Sequence, residues 1–418
     1  MHALRRWWHD TAGGLPATFW FLWTGLLINR AGAFAMLFLS LYLTDVRGAS
    51  VSVAGAVVGA YGAGGAAGVL LGGVLADRWG RRATLLAAHL ATAGLMVALA
   101  FSKPLALIAV LSALIGVVHS MPSPAFVAAI VDVVPEARRS RAFNLQFWAF
   151  NLGMAIAPLL AGVLAKASFI ALFLVDAGTT LAAAAVIAWK VPETLRPAQT
   201  ELATKAVRLR QPGLLTALTD RIFLVFVGLT FVLAVLTQQT STIMPLAMRA
   251  DGLSPSAYGL VAALGGALIV LGQLFVPRLI DRHRKHVVLA ASTALLALGF
   301  GALAVADELA VYLVAAVVWT VGSMLAAPPN AQINADLAPS QLRARYQAVF
   351  YLTFPAAAFV APTLGGVSLQ YLGGRHWLIV GGLGLLAALG HLLAGPPRER
   401  HVAALHRAVD REPPPAPH

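Results

Sequence analysis

The sequence predicts an all-α membrane protein with twelve transmembrane helices arranged as two six-helix halves. Three observations carry that prediction. Hydrophobic residues make up 59% of the chain and charged residues 11%, at a mean hydropathy of +0.79, far from the balance of a water-soluble domain. Twelve apolar stretches are long enough to cross a hydrocarbon core of about 30 Å as helices. Short polar signatures also recur at one fixed offset of 204 residues.

The stretches lie at about 17–44, 51–75, 83–101, 104–134, 141–165 and 167–190, then 219–247, 255–279, 286–306, 309–335, 344–372 and 376–396. Residues 1–16 are polar, and the apolar run after them is too long for a signal-peptide core. They are expected to form a retained cytoplasmic tail. Span one carries Leu27-Ile28-Asn29-Arg30-Ala31-Gly32, and a charge at that depth costs about 2.5–3.5 kcal/mol. Arg30 should therefore face a cavity as a substrate or coupling residue, or pair structurally with span five or six.

Spans two and three are joined by Gly73-Val-Leu-Ala-Asp77-Arg78-Trp-Gly80-Arg81-Arg82. Gly73 is expected to let helices approach, Asp77 to cap the incoming helix, and the arginines to hold the turn out of lipid. Span four brings His119 into the membrane and ends at Asp132, followed by Pro135 and Arg139. Asp132, 55 residues after Asp77, is placed to pair with a loop arginine as a gate latch. Span five offers Asn144, Gln146, Phe147, Trp148 and Asn151, then the small-residue run from Gly153 through Pro158 to Gly162, which suits a hinge or a seal. Asp176, in span six, is the only acidic residue well inside a predicted span.

The central connection, 192–218, opens on Pro192, which cannot continue a helix. Its stretch Glu201–Arg210 alternates apolar and basic residues, suiting either a helix on the membrane surface or a flexible linker. The second half then repeats the first. Asp281-Arg282 echoes Asp77-Arg78, Asp336 echoes Asp132, and Pro362 with Gly366 echoes Pro158 with Gly162, all at the offset of 204. Spans seven, ten and eleven add Gln238, Gln239, Ser241, Trp319, Asn330, Asn334, Tyr346 and Tyr351 as cavity-wall candidates. Residues 398–418 are basic and end in prolines, so a mobile cytoplasmic tail without a packed core is expected.

Basic residues set the expected orientation. With both termini cytoplasmic, 24 of the 30 lysines and arginines fall inside, and Arg30 lies within a span. The expected location is the cell's inner or plasma membrane, and the net charge of +13 implies contact with anionic lipid rather than nucleic acid. Cysteine is absent, which excludes disulfides and thiolate chemistry, and no metal site is expected. The chain has no Gly-x4-Gly-Lys-Ser/Thr loop, so ATP-driven pumping is not indicated. Ser120 adjoins His119 on a different helix face, and Asp176 has no acidic mate, so no enzyme is expected. No cofactor is expected either; the proton gradient is the energy source that fits. A monomer is expected.

Gly73, Asp77, Arg78, Gly80 and Arg82 resemble the loop 2–3 signature of the major facilitator superfamily. In the second copy Pro277 and Arg284 stand where that signature has glycines. The resemblance covers about 17–397 and implies bundles at 17–191 and 219–397, related by an axis along the membrane normal and working by alternating access. The span-five run is similar to the antiporter signature of drug–proton exporters, with Ala157 and Ala161 in place of two glycines. The span-four arginine of those exporters is replaced by Ser112. Asn29-Arg30 is similar to the Glu-Arg motif of proton-coupled peptide transporters, with Asn29 for the glutamate. These resemblances imply proton-coupled export of amphipathic small organic molecules, with peptide uptake as the alternative and a non-transporting sensor or scaffold as a remote one. They also place spans one, four, seven and ten around the cavity, so Arg30 and His119 should face each other. His119 then carries protons or packs through hydrogen bonds; His89 and His391 are read as structural.

Overall fold

A computed structural model describes residues 13–195, 215–272, 275–280, 282–339 and 342–409. Twelve helical segments among them are long and apolar enough to cross a membrane, matching the predicted spans within a few residues at most ends. In chain order the first half comprises α1 (Ala17–Ala31), α2 (Ala35–Asp45), α3 (Val51–Trp79), α4 (Arg81–Phe101), α5 (Leu105–Ser120), α6 (Pro122–Val133), α7 (Glu136–Ala167) and α8 (Phe169–Lys190). After the short α9 (Leu215–Thr219) come α10 (Arg221–Thr242), α11 (Met244–Ala250), α12 (Pro255–Gly272), α13 (Val276–Ile280), α14 (Lys285–Ala302), α15 (Leu309–Leu337), α16 (Arg343–Leu372), α17 (Arg375–Leu393) and α18 (Gly395–Val409).

Spans one, four and seven are each built from two helices rather than one. Pro122 and Pro245 open the second piece of spans four and seven, where a missing N–H costs nothing. Span one breaks at Gly32 for a tertiary reason. A Cβ at Gly32 would lie 2.0 Å from Thr179 Oγ1, so only glycine lets α1 end against α8.

The chain forms two compact units that do not follow the two sequence halves. Unit one spans 1–210, 240–270 and 359–373; unit two spans 211–239, 271–358 and 374–418. Unit one thus includes α12 and the end of α16 from the second half of the sequence, drawn in by close approaches between small residues. A Cβ on Gly259 would sit 2.4 Å from the Pro158 carbonyl, and one on Gly162 would sit 2.9 Å from Ser256 Cα. Likewise a Cβ on Gly55 would lie 2.2 Å from the Pro362 carbonyl, with Gly366 Cα 3.0 Å away. Backbones this close hold α12 and the end of α16 within unit one.

Unit one keeps α3 against α5 by the same device: a Cβ on Gly68 would lie 2.0 Å from the Val117 carbonyl, and one on Gly72 2.3 Å from that of Met121. Unit two packs on aromatics instead. Phe300 stacks on Trp319 with centroids 5.0 Å apart and on Trp377 at 6.2 Å. The tail expected to be mobile from residue 398 is helical through Val409, and Arg398 is buried. Two contacts fix it: the Arg398 guanidinium lies over the Phe226 ring, and Glu399 bonds His286. The proposed surface helix at 201–210 and residues 410–418 lie outside the described residues.

Candidate functional site

The break in span one sits beside a buried chain of polar side chains. Asn29 Nδ2 donates to Thr180 Oγ1 at 3.1 Å, and Thr180 Oγ1 reaches Asp176 Oδ1 at 3.5 Å. Asp176 Oδ2 accepts the Ala35 N–H at 3.1 Å, the first amide of α2. The carboxylate therefore meets the positive end of a half-helix whose amides have no intrahelical partner. Asp176 is explained as the cap of that break.

Asn29 also reaches a cavity of about 100 Å³ in unit one, lined with it by Arg30, His89, His119, Gln146 and Phe150, among others. Arg30 lies over Phe150, with Cζ 4.9 Å from the ring centroid, and its Nε is buried without a hydrogen-bond partner. His119 Nδ1 is 3.1 Å from Tyr61 Oη, and its Nε2 is likewise buried without a partner. Gly153 makes the arrangement possible, because a Cβ there would lie 2.4 Å from Arg30 Cβ. The expected pairing of Arg30 and His119 at one cavity is found, with Gln146 beside them. A water occupies about 30 Å³ in the liquid, so the cavity suits a small polar head rather than a whole drug-like molecule.

The other candidates are placed differently. Asn151 Nδ2 is spent on the carbonyl of Phe147 at 2.8 Å, and neither Asn151 nor Trp148 lines this cavity. In unit two, Asn330 Oδ1 accepts from Thr230 Oγ1 at 3.0 Å and Asn334 Nδ2 donates to Gln347 Oε1 at 2.9 Å, while Gln239 is buried and Tyr351 is exposed. Gln238, on α10, also belongs to unit two.

The loop between spans two and three makes an ion pair with the end of span four. Arg81 Nε lies 3.0 Å from Asp132 Oδ2, both side chains about nine-tenths buried. Arg81 Nη1 also meets Asp77 Oδ1 at 3.4 Å, on an exposed carboxylate. The expected cap is corrected: Asp77 does not hold the start of α4. Glu193, just beyond span six, does, accepting the N–H groups of Arg81 at 2.8 Å, Arg82 at 3.1 Å and Ala83 at 3.4 Å. Burial opposes the Glu193 charge, but the amides of Leu195, Arg81, Ala83 and Thr194 outweigh it and hold its carboxyl below the usual range. The cap is therefore present above the ordinary glutamate range and is lost as pH falls through the depressed value.

Gly80 has φ +104°, and a Cβ there would lie 2.2 Å from Glu193 Oε2. Gly80→Ala is expected to destabilise by about 1–3 kcal/mol, read by denaturant unfolding in detergent. Gly73 needs a correction too. A Cβ there meets nothing within 4 Å, and the close approach belongs to Gly72. Arg78 is exposed, while Arg139 Nη2 donates to the Val131 carbonyl at 3.1 Å at the end of α6.

The second copy pairs in the same way. Lys285 Nζ lies 2.8 Å from Asp336 Oδ2, at the positions that repeat Arg81 and Asp132. Arg282 is exposed, and Asp281 lies outside the described residues. The opposite ends of the spans carry a pair not anticipated from the sequence: Arg249 Nε meets Asp45 Oδ2 at 2.9 Å, and the two positions differ by the repeat offset of 204.

The family description Major Facilitator Superfamily matches residues 22–250 and 229–416. The chain belongs to the major facilitator superfamily. This transporter is similar to the uncharacterised transporter YttB of Bacillus subtilis, 28% identical over 365 residues, covering 86% of this chain and 90% of the relative. A Na(+), Li(+), K(+)/H(+) antiporter of Planococcus maritimus is 26% identical over 351 residues, covering 77% and 83%. The multidrug resistance protein MdtH of Klebsiella pneumoniae is 24% identical over 335 residues, covering 77% and 79%. Among solved structures, a peptide transporter in complex with sulfate superposes with a TM-score of 0.77 at 19% identity, covering 92% of this chain and 96% of that one. The likeness to that structure concerns the fold. The chain is thus a multi-pass membrane protein and a secondary transporter.

His89, read from the sequence as structural, also lines the cavity while its Nδ1 meets the Leu85 carbonyl at 2.6 Å. Its position on span three carried no signal of that. Asp45 and Arg249 did carry one: opposite charges at the same offset as the other matched residues.

Proposed function

We propose that this transporter exports neutral or anionic amphipathic organic molecules in exchange for protons. The observation that carries the reading is the cavity on α1, where Arg30 Nε and His119 Nε2 are both buried without partners. Unpaired buried donors and acceptors are costly, so their retention at a cavity suits a ligand or proton that visits. Arg30 binds the polar head of the substrate, and His119 takes and releases the proton through Nε2. His is the side chain whose ordinary pKa lies nearest neutrality. Asp176 is assigned to positioning the broken span by capping α2 rather than to carrying the proton. The antiporter and multidrug relatives support exchange and organic substrates at a distance.

Transport of alkali cations, as the name of the Planococcus relative describes, fits this cavity less well. Its titratable residues, Arg30, His89 and His119, carry positive or no charge. Peptide uptake also loses support, since Asn29 stands in place of the glutamate and is bonded to Thr180. Both termini are assigned to the cytoplasm of a cell membrane by the basic-residue bias.

The Asp45–Arg249 pair is assigned as the latch of the opposite, non-cytoplasmic side. Its exposed side chains make it worth about 1 kcal/mol or less, weak enough to open in each cycle. The parent chain has no cysteine, so a single Phe38→Cys reporter beside Tyr258 can report on that side. Adding Asp45→Asn is expected to speed its labelling by a water-soluble maleimide; unchanged labelling would remove the latch role. The function itself is tested by transport in liposomes. His119→Ala should abolish proton-driven flux and spare substrate exchange, whereas Asp176→Asn should keep coupling. A His119→Ala protein that still concentrates substrate under a pH gradient would sink the assignment.

A further inference from the structure

Unit two contains a second cavity, of about 410 Å³, at the end of the spans where the basic residues gather. Arg284, Lys285, His286, Asp336, Arg398 and Glu399 are among the residues that line it. Its carboxylates are already engaged: Lys285 Nζ stands 2.8 Å from Asp336 Oδ2, and His286 Nδ1 stands 2.6 Å from Glu399 Oε1. Arg398 is not engaged in this way. It is 3% exposed, and neither Nη1 nor Nη2 has a hydrogen-bond partner among the described residues. The Phe226 ring, 5.5 Å from Cζ, offsets only part of what burying an unpaired ion costs. Burial pulls the Arg398 pKa down, opposed by the charge of Glu399. A long, flexible arginine on an amphipathic helix would ordinarily extend its head to water.

The internal repeat shows what belongs there. In unit one, the start of α4 lies under the carboxylate of Glu193, which takes three amide hydrogens. The repeat-related helix is α14, and its N-terminus has no side-chain cap. Among the described residues no carboxylate bonds its first amides. The positive end of α14 and the Arg398 fork therefore lie at one cavity whose two carboxylates, Asp336 and Glu399, are bonded to Lys285 and His286 instead.

We propose that this cavity binds a phosphate-bearing anion, held by Nη1 and Nη2 of Arg398 with Arg284 at the exposed rim. The planar guanidinium fork matches phosphate oxygens in pairs, and Lys285 keeps donors to spare beyond Asp336. The volume, room for roughly a dozen waters, admits a phosphate group with its solvent. That group has two possible sources, a free phosphate or the headgroup of an anionic phospholipid.

The test uses the full chain and reads its melting temperature by intrinsic tryptophan fluorescence. One arm adds inorganic phosphate in neutral detergent, against chloride at equal ionic strength. The other compares nanodiscs of phosphatidylglycerol with nanodiscs of phosphatidylcholine. Wild-type protein should gain about 2 °C or more in at least one arm, and the responding arm identifies the source. Arg398→Gln should lose that gain, and without phosphate it should melt no lower than wild type, because it removes an unpaired buried charge. Arg284→Gln should weaken the gain. No gain for wild type in either arm overturns the proposal, whatever the variants do. A full gain retained in Arg398→Gln overturns it as well.

Discussion

Arg30→Ala is expected to reduce gradient-driven transport by about ten- to hundredfold, the range of a lost hydrogen bond to a charged group. The reason is local. Arg30 is the permanently charged group of the α1 cavity, its Nε has no partner within the protein, and Phe150 is its packing neighbour. Removing it deletes attraction for an anionic head and takes away a cation that faces the same cavity as His119. Arg30→Lys keeps the charge but not the planar fork, so it should retain part of the flux with weakened substrate affinity. The split between maximal rate and half-saturating concentration separates this from misfolding. A purely structural Arg30 would lower the amount of folded transporter and leave the kinetics of the remainder unchanged.

Arg81→Met is expected to cost about 3 kcal/mol of unfolding free energy, the largest stability effect among the latch residues. Both side chains of the Arg81–Asp132 pair are about nine-tenths buried, and Arg81 Nη1 also donates to the Ala76 carbonyl at 2.8 Å. Breaking such a pair strands Asp132, whose remaining partner is the Thr194 hydroxyl at 3.1 Å. The repeat supplies its own control. Lys285–Asp336 has the same place in the second copy but is 45% and 35% exposed, so Lys285→Met should cost about 1 kcal/mol or less. Denaturant unfolding of both variants in one detergent measures the difference. Equal costs would show that burial does not set the strength of these latches.

What was legible in the sequence divides along physical lines. Spans follow from length and hydropathy alone, and the ends of α3 and α4 could be read because glycine and clustered arginines mark a turn. Asp132 and Asp336 were readable as repeat-related carboxylates near basic loops because a repeat conserves spacing, but that Arg81 and Lys285 are their partners is set by packing. The helix cap was assigned to Asp77 because sequence offers the nearest carboxylate; Glu193 lies 112 residues from Arg81 and reaches it through packing. Gly73 and Gly72 differ by one position, which on a helix is about 100° of rotation, so a motif letter cannot say which one faces α5. Asp176 stands out in the sequence as the one acidic residue well inside a predicted span, but its contact with the first amide of α2 could not be read there, because the break at Gly32 is a tertiary event. The helical tail was hidden for a similar reason: Arg398 and Glu399 look like solvent-seeking charges until Phe226 and His286 are beside them.

Coupling of proton movement to export through the Arg30–His119 cavity is tested most directly in proteoliposomes under an imposed pH gradient. Flux of a panel of neutral, anionic and cationic amphiphiles is followed with and without a protonophore. Wild type should show protonophore-sensitive flux of neutral or anionic members, and Arg30→Ala should collapse it. Gradient-driven flux confined to cations and indifferent to Arg30→Ala, or no flux for any member of the panel, would contradict this coupling.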